Sequence, residues 1–275
     1  MSKKIFFFDI DGTLAVKNII PEDTKEALRK LQNLGHYVFI CTGRPYIYAK
    51  YHFEKYVDGF ICANGRYIVY KEEVLLDEPL TRKQVSYFVD SFDKLECGYN
   101  FNGVNLGYAH GIDFNKLADM QTDYEHPYFI EDFKTEEIDA HMFDVHFNDQ
   151  EHYQKIVSYL QDTVVLNEHF GHNSADATII GYDKGIGIKK LLTILKIERD
   201  NSYAFGDGFN DVCMFKVVGH PIAMGNGVDV AKEASEYITS DIYDGGIYKA
   251  LLHHGYNNPL EYSLLDALHG GGLTK

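Results

Sequence analysis

Asp9 and Asp11 stand two residues apart in the run Asp9-Ile10-Asp11-Gly12-Thr13. Asp9 follows three phenylalanines, Phe6 to Phe8. Its carboxylate is therefore poorly solvated unless it meets a cation. Such a pair can hold a metal and divide acid–base work, or it can simply cap a turn. The run Gly206-Asp207-Gly208-Phe209-Asn210-Asp211 repeats the pattern, with two more carboxylates leaving an apolar stretch and glycines that let the backbone come close. Thr42-Gly43-Arg44-Pro45 offers a hydroxyl, a backbone N–H and a guanidinium fork, the donors that a phosphate oxygen takes. Taken alone it reads equally as a helix cap and a surface arginine. Lys184-Gly185 sets an ammonium where a helix begins, a place that favours anions. Alone, it is equally a solvated lysine.

The elements that must position these groups can be read from periodicity. Lys4 to Ile10 is an apolar run with little alternation, as in a strand buried on both faces of a parallel sheet. Pro21, Glu22 and Asp23 open a helix, Ala27, Leu28, Leu31 and Leu34 recur at helical spacing, and Gly35 closes it. A second strand spans 37–41, a helix spans about 46–56, and a third strand spans 59–62. Strand–helix alternation of this kind predicts a doubly wound α/β sheet. Ligands of such sheets bind at the carboxyl ends of the strands, and all four polar clusters fall there.

The rhythm changes after Gly65. Short strands (RYIVY, EVLL, GYNF, NLGYA, HMFDVHF, TVVLN) and helices over 81–94 and 150–161 predict an α+β module with an antiparallel sheet. HMFDVHF (141–147) alternates apolar and polar residues, as a half-exposed strand does. ATIIGYDKG then returns to the first style, followed by a helix over about 186–195, a buried strand in SYAFGDG, and a last α/β alternation through PIAMGNG, DVAKEA and GIYKALL. The expected organisation is an α/β, Rossmann-like doubly wound parallel-sheet core over 1–80 and 183–275, interrupted by an inserted α+β cap domain over 81–182. The terminal LHGGGLTK is expected to fray.

Bulk properties narrow the partners. The chain has 275 residues and a formal charge of −15, so no basic face is expected for a nucleic acid or an anionic membrane. Anionic substrates then need a local cationic site or a metal. The four cysteines, Cys41, Cys62, Cys97 and Cys213, show no CxxC pair and no zinc spacing. They read as reduced thiols of a cytoplasmic protein. No apolar stretch approaches the length of a bilayer span. The oligomeric state is not legible.

Taken together and in this order, the four clusters resemble the haloacid dehalogenase (HAD) superfamily, and within it the Cof-type phosphatases with a C2-type cap. The gap between Thr42 and Lys184 matches the position of that cap. Ala223-Met224-Gly225-Asn226, Ala231, Ala234, Asp244-Gly245-Gly246 and Asn64-Gly65 fit the same pattern, with Gly227 standing where Ala is expected. The resemblance covers the core, not the cap. It implies a Mg²⁺-dependent phosphatase of small phosphorylated metabolites, either sugar phosphates or nucleotide and cofactor phosphates. Asp9 and Asp207 would bind Mg²⁺ by carboxylate and Asp11 by backbone carbonyl, with Asn210 and Asp211 holding the metal's waters. Thr42, Gly43, Arg44 and Lys184 would take the phosphoryl oxygens. Asp9 would be the nucleophile and Asp11 the general acid and base. A phosphomutase of the same fold, or a non-catalytic binding or regulatory member, stays open beside this reading. The cap would read the leaving group, with candidate polar loops at 102–126 and 168–174. None of the histidines in or near them (His110, His126, His169, His172) stands out from the thirteen in the chain.

Overall fold

The structure is a computed structural model that describes residues 3–124, 127–169 and 171–256. The terminal LHGGGLTK and His126 lie outside the described residues. The strands are β1 (Ile5–Phe8), β2 (Tyr37–Cys41), β3 (Gly59–Cys62), β4 (Tyr67–Tyr70), β5 (Glu73–Asp77), β6 (Gly98–Asn102), β7 (Gly107–His110), β8 (Phe129–Ile130), β9 (Met142–His146), β10 (Val164–His169), β11 (Ser174–Ile179), β12 (Ser202–Gly206), β13 (His220–Ala223) and β14 (Tyr237–Ile238). The α-helices are α1 (Glu22–Asn33), α2 (Tyr46–Phe53), α3 (Arg82–Leu95), α4 (Phe114–Gln121), α5 (Gln150–Leu160), α6 (Lys184–Leu195), α7 (Val212–Phe215), α8 (Asp229–Glu233) and α9 (Gly246–His253).

The chain divides into two compact units, one running to Val38 and resuming at Asp200, the other spanning Phe39–Arg199. In the first, β1, β12, β13 and β14 are parallel neighbours. Phe6, Phe7, Phe8 and Phe205 are fully buried, which is why this strand sequence does not alternate. Helix α1 buries Ala27, Leu28 and Leu31, and its acidic first turn suits the positive end of the helix dipole.

In the second unit, β2 and β3 are parallel and β4 and β5 continue antiparallel. A separate six-stranded sheet has the order β10-β11-β9-β6-β7-β8. Its strands pair antiparallel except for β7 with β8. Its apolar face supplies Phe101, Phe143, Val145, Ala175 and Ala177 to one core with Phe88 and Phe92 of α3 and Ile156 and Leu160 of α5. Thr81 starts α3 with a reciprocal cap: its hydroxyl accepts from Gln84 N, and the Gln84 side chain takes the Thr81 N–H.

Three expectations change. ATIIGYDKG does not return to the parallel core, because Ala177–Ile179 end β11, which pairs antiparallel with β9 and β10. A buried apolar run carries no sign of which sheet it joins. Within the polar stretch 102–126, α4 forms behind an Asp113 cap and buries only Leu117, so it leaves no apolar period to read. The polar side of 141–147 is not half-exposed either: His146 is 8% exposed, and Asn100 and Asn102 on neighbouring β6 are 0% and 2% exposed.

Candidate active site

In the first unit the chain leaves β1 at Asp9, whose N–H still bonds Phe205 O at 3.1 Å. The ladder thus holds Asp9 rigidly at the strand end, where it is 7% exposed. Gly12 has φ +82, and a Cβ there would lie 2.4 Å from Asp207 Oδ2. Both the turn and the close approach therefore require glycine. The buried Thr13 hydroxyl donates to Asp207 Oδ1 at 2.6 Å. Asp211 Oδ2 accepts the N–H groups of Asp207 and Gly208, each at 2.9 Å. Asn226 spans the loops, donating to Gly12 O at 2.8 Å and accepting from Ile242 N at 3.0 Å.

Carboxylate oxygens of Asp9, Asp207 and Asp211 come within 4.8 Å of one another. At an effective dielectric of about 20, charges this close repel by roughly 3 kcal/mol per pair. A cation removes that cost. The donors are all oxygen, the set that suits a hard cation such as Mg²⁺. Asp211, expected to hold water, brings its own carboxylate into this group. Asp11 does not, and it is exposed, as is Asn210. Gly227, the departure from the expected Ala, packs on the same loop: a Cβ there would meet Met224 O at 2.9 Å and Asp207 Cα at 3.1 Å.

In the second unit, Thr42 follows β2, and its hydroxyl accepts the Arg44 N–H at 3.1 Å. The Arg44 guanidinium lies 4.3 Å over the Tyr48 ring. Beyond β3, Ala63, Asn64 and Gly65 all have positive φ. This strained turn brings Asn64 N to Thr42 O at 3.3 Å and sets Asn64 Oδ1 3.1 Å from where a Gly43 Cβ would stand. Lys184 is the first residue of α6 and is 1% exposed. Asp183 caps that helix by accepting Ile186 N at 2.7 Å. An ammonium so buried demands an anionic partner. The structure thus brings Thr42, Gly43 and Arg44 together with Asn64, a residue whose part the sequence showed only through its motif.

Of the four cap histidines, His169 pairs with Asp176 at 3.2 Å, and this hydrogen bond holds its pKa above the ordinary value. His110 and His172 are exposed. The polar residues of the six-stranded sheet, including Asn100, Asn102, Asp144 and His146, had no signal in the sequence beyond their alternation. Among the described residues, no helix is long and apolar enough to cross a membrane.

The family model for haloacid dehalogenase-like hydrolases matches residues 6–251. A putative phosphatase of Bacillus subtilis, YkrA, is 30% identical over 93% of this chain and 99% of its own length. The same organism's 5-amino-6-(5-phospho-D-ribitylamino)uracil phosphatase YitU is 25% identical over 88% of this chain and 94% of its own. The solved HAD subclass IIB sugar phosphatase BT4131 matches with a TM-score of 0.78 at 26% identity, covering 92% of this chain and 100% of that one.

Proposed function

The chain belongs to the haloacid dehalogenase-like hydrolases, and from that premise we propose that it is a Mg²⁺-dependent phosphatase of small phosphorylated metabolites. The observation that carries the reading is the convergence of Asp9, Asp207 and Asp211 at strand and loop ends. Bound there, Mg²⁺ would cancel negative charge between a phosphate dianion and an attacking carboxylate. Asp9, held at its strand end, is the nucleophile and forms an aspartyl-phosphate. Asp11, outside the three-carboxylate group, protonates the leaving alcohol and then activates water. Thr42, Gly43, Arg44 and Lys184 hold the phosphoryl oxygens. Thr13 and Asn226 keep the carboxylate loops in place, and Asn210 would hold the metal's waters. Residues 81–182 serve as the cap domain on the core of 1–80 and 183–275, a reading supported by their own sheet and their own apolar core. A cytoplasmic setting fits such substrates. The names of the relatives support sugar phosphates or cofactor-precursor phosphates as the substrates.

Phosphate release from a panel of sugar, polyol and nucleotide phosphates and an aryl phosphate tests this. The expected result is release that EDTA abolishes and added Mg²⁺ restores. Release indifferent to EDTA overturns the metal assignment. No release from any ester favours a binding or regulatory role.

A further inference from the structure

The second unit carries a polar row that the proposed chemistry does not use. Strand register sets Asn167, Asp176, Asp144 and Asn100 side by side across β10, β11, β9 and β6. Side chains alternate between faces along a strand, so this row lies opposite Phe101, Phe143, Ala175 and Ala177. The same face carries His146, Asn102, Ser174 and Thr178, each two residues along its strand from the row. Four of these eight side chains (Asn100, Asn102, His146 and Ser174) are at most 8% exposed. Burying so many polar groups is costly unless each is bonded.

The bonds are directional. His146 Nε2 meets Asn100 Oδ1 at 2.7 Å, and because an amide oxygen only accepts, Nε2 carries the proton. Asn100 Nδ2 then donates to Asp144 Oδ2 at 2.6 Å, and Asn102 Nδ2 donates to the same oxygen at 3.0 Å. Both amide orientations are thereby fixed. Among the described residues, nothing donates to Asp144 Oδ1. His146 Nδ1 is buried and likewise has no partner among them. Asp176 is held by Asn167 Nδ2 at 3.1 Å and by His169 Nε2 at 3.2 Å. Burial holds the Asp144 carboxyl above the ordinary carboxylate range, although the charge of His169 and the bonds from Asn100 and Asn102 pull it back toward the charged form. A row that only had to cover a core would be apolar.

One end of this face is tied to the phosphate-binding turn. Asn64, bonded to Thr42, donates through Nδ2 to Thr178 Oγ1 at 2.9 Å, and Asn167 Nδ2 reaches the same hydroxyl at 3.3 Å. Thr178 and Asp176 are two residues apart on β11, about 7 Å along the strand. Acceptor and donor groups therefore continue outward from the turn that would hold the phosphoryl group.

We propose that this face is the leaving-group site and that Asp144 and Asp176 accept hydrogen bonds from neighbouring hydroxyls of a phosphorylated polyol. The inference rests on the phosphatase reading. A neutral diol fits because carboxylates accept from its hydroxyls while the amides and the Thr178 hydroxyl supply the complementary contacts. A cationic amine is the competing ligand for a pair of acids.

The test compares sorbitol 6-phosphate, hexyl phosphate, glucosamine 6-phosphate and p-nitrophenyl phosphate, with wild type and Asp144→Asn. In the variant the amide oxygen stays with Asn100 and Asn102, and the other oxygen becomes an NH₂. Wild type is expected to favour sorbitol 6-phosphate over hexyl phosphate by about a hundredfold in kcat/KM, and the variant to narrow that ratio by about tenfold, the scale of one charged hydrogen bond. Equal rates on the polyol and hexyl esters overturn the inference, with no variant required. So does a ratio that Asp144→Asn leaves unchanged, or a preference for the amino sugar ester. If wild type also fails on p-nitrophenyl phosphate, the phosphatase reading itself falls and takes this inference with it.

Discussion

At the scale of single residues, the site depends on how firmly its carboxylates are held. Asp207 takes the 2.6 Å bond from buried Thr13, and its backbone N–H is tied to Asp211. Thr13→Val keeps the shape of the side chain and removes the donor. It is expected to cost about 1–3 kcal/mol of stability and to weaken metal affinity by roughly 10- to 100-fold. Thermal melts with and without Mg²⁺, together with activity titrated against the metal, check both. Unchanged metal dependence would mean that Asp207 does not need this brace. The carboxylates that cluster, Asp9, Asp207 and Asp211, were legible because carboxylates at strand ends and glycine turns leave a local trace. Asn64 and Asn226 stood in recognisable motifs, but their bonds join residues far apart in the chain, which no local pattern reveals.

At the scale of elements, periodicity recovered most of the long helices and buried strands, since α3 and α5 each show an apolar stripe that packs on one sheet. It failed for α4, which buries little, and the core-like style of ATIIGYDKG did not mark Ala177–Ile179 as part of an antiparallel strand. It read the alternation of β9 correctly and its exposure wrongly, because alternation shows that two faces differ and not that one is wet. That buried polar face has a consequence for pH. Burial pushes the His146 pKa down to about 3, against about 6.5 in the unfolded chain. Between these values the unfolded chain binds the extra proton, so stability is intact above pH 6.5 and is lost as the pH falls toward 3. His146→Gln can still donate to Asn100 and does not titrate. Its melting temperature is expected to fall less steeply than the wild type's over that window. Parallel curves would assign acid sensitivity to other groups.

At the scale of the whole molecule, the composition bounded partners and the order of the four motifs named the family, which the match over residues 6–251 bears out. What the composition could not supply was the leaving group, because the core chemistry is indifferent to it and the cap sequence has no motif. The central claim is that Asp9 carries the phosphoryl group. Acid quench during turnover of the best ester, followed by peptide mapping, tests it most directly. The account predicts a hydroxylamine-labile phosphoryl adduct on the peptide containing Asp9, absent in Asp9→Asn, whose turnover drops by about a thousandfold or more. An adduct on another residue, or an Asp9→Asn enzyme that still releases phosphate at the wild-type rate, would contradict it.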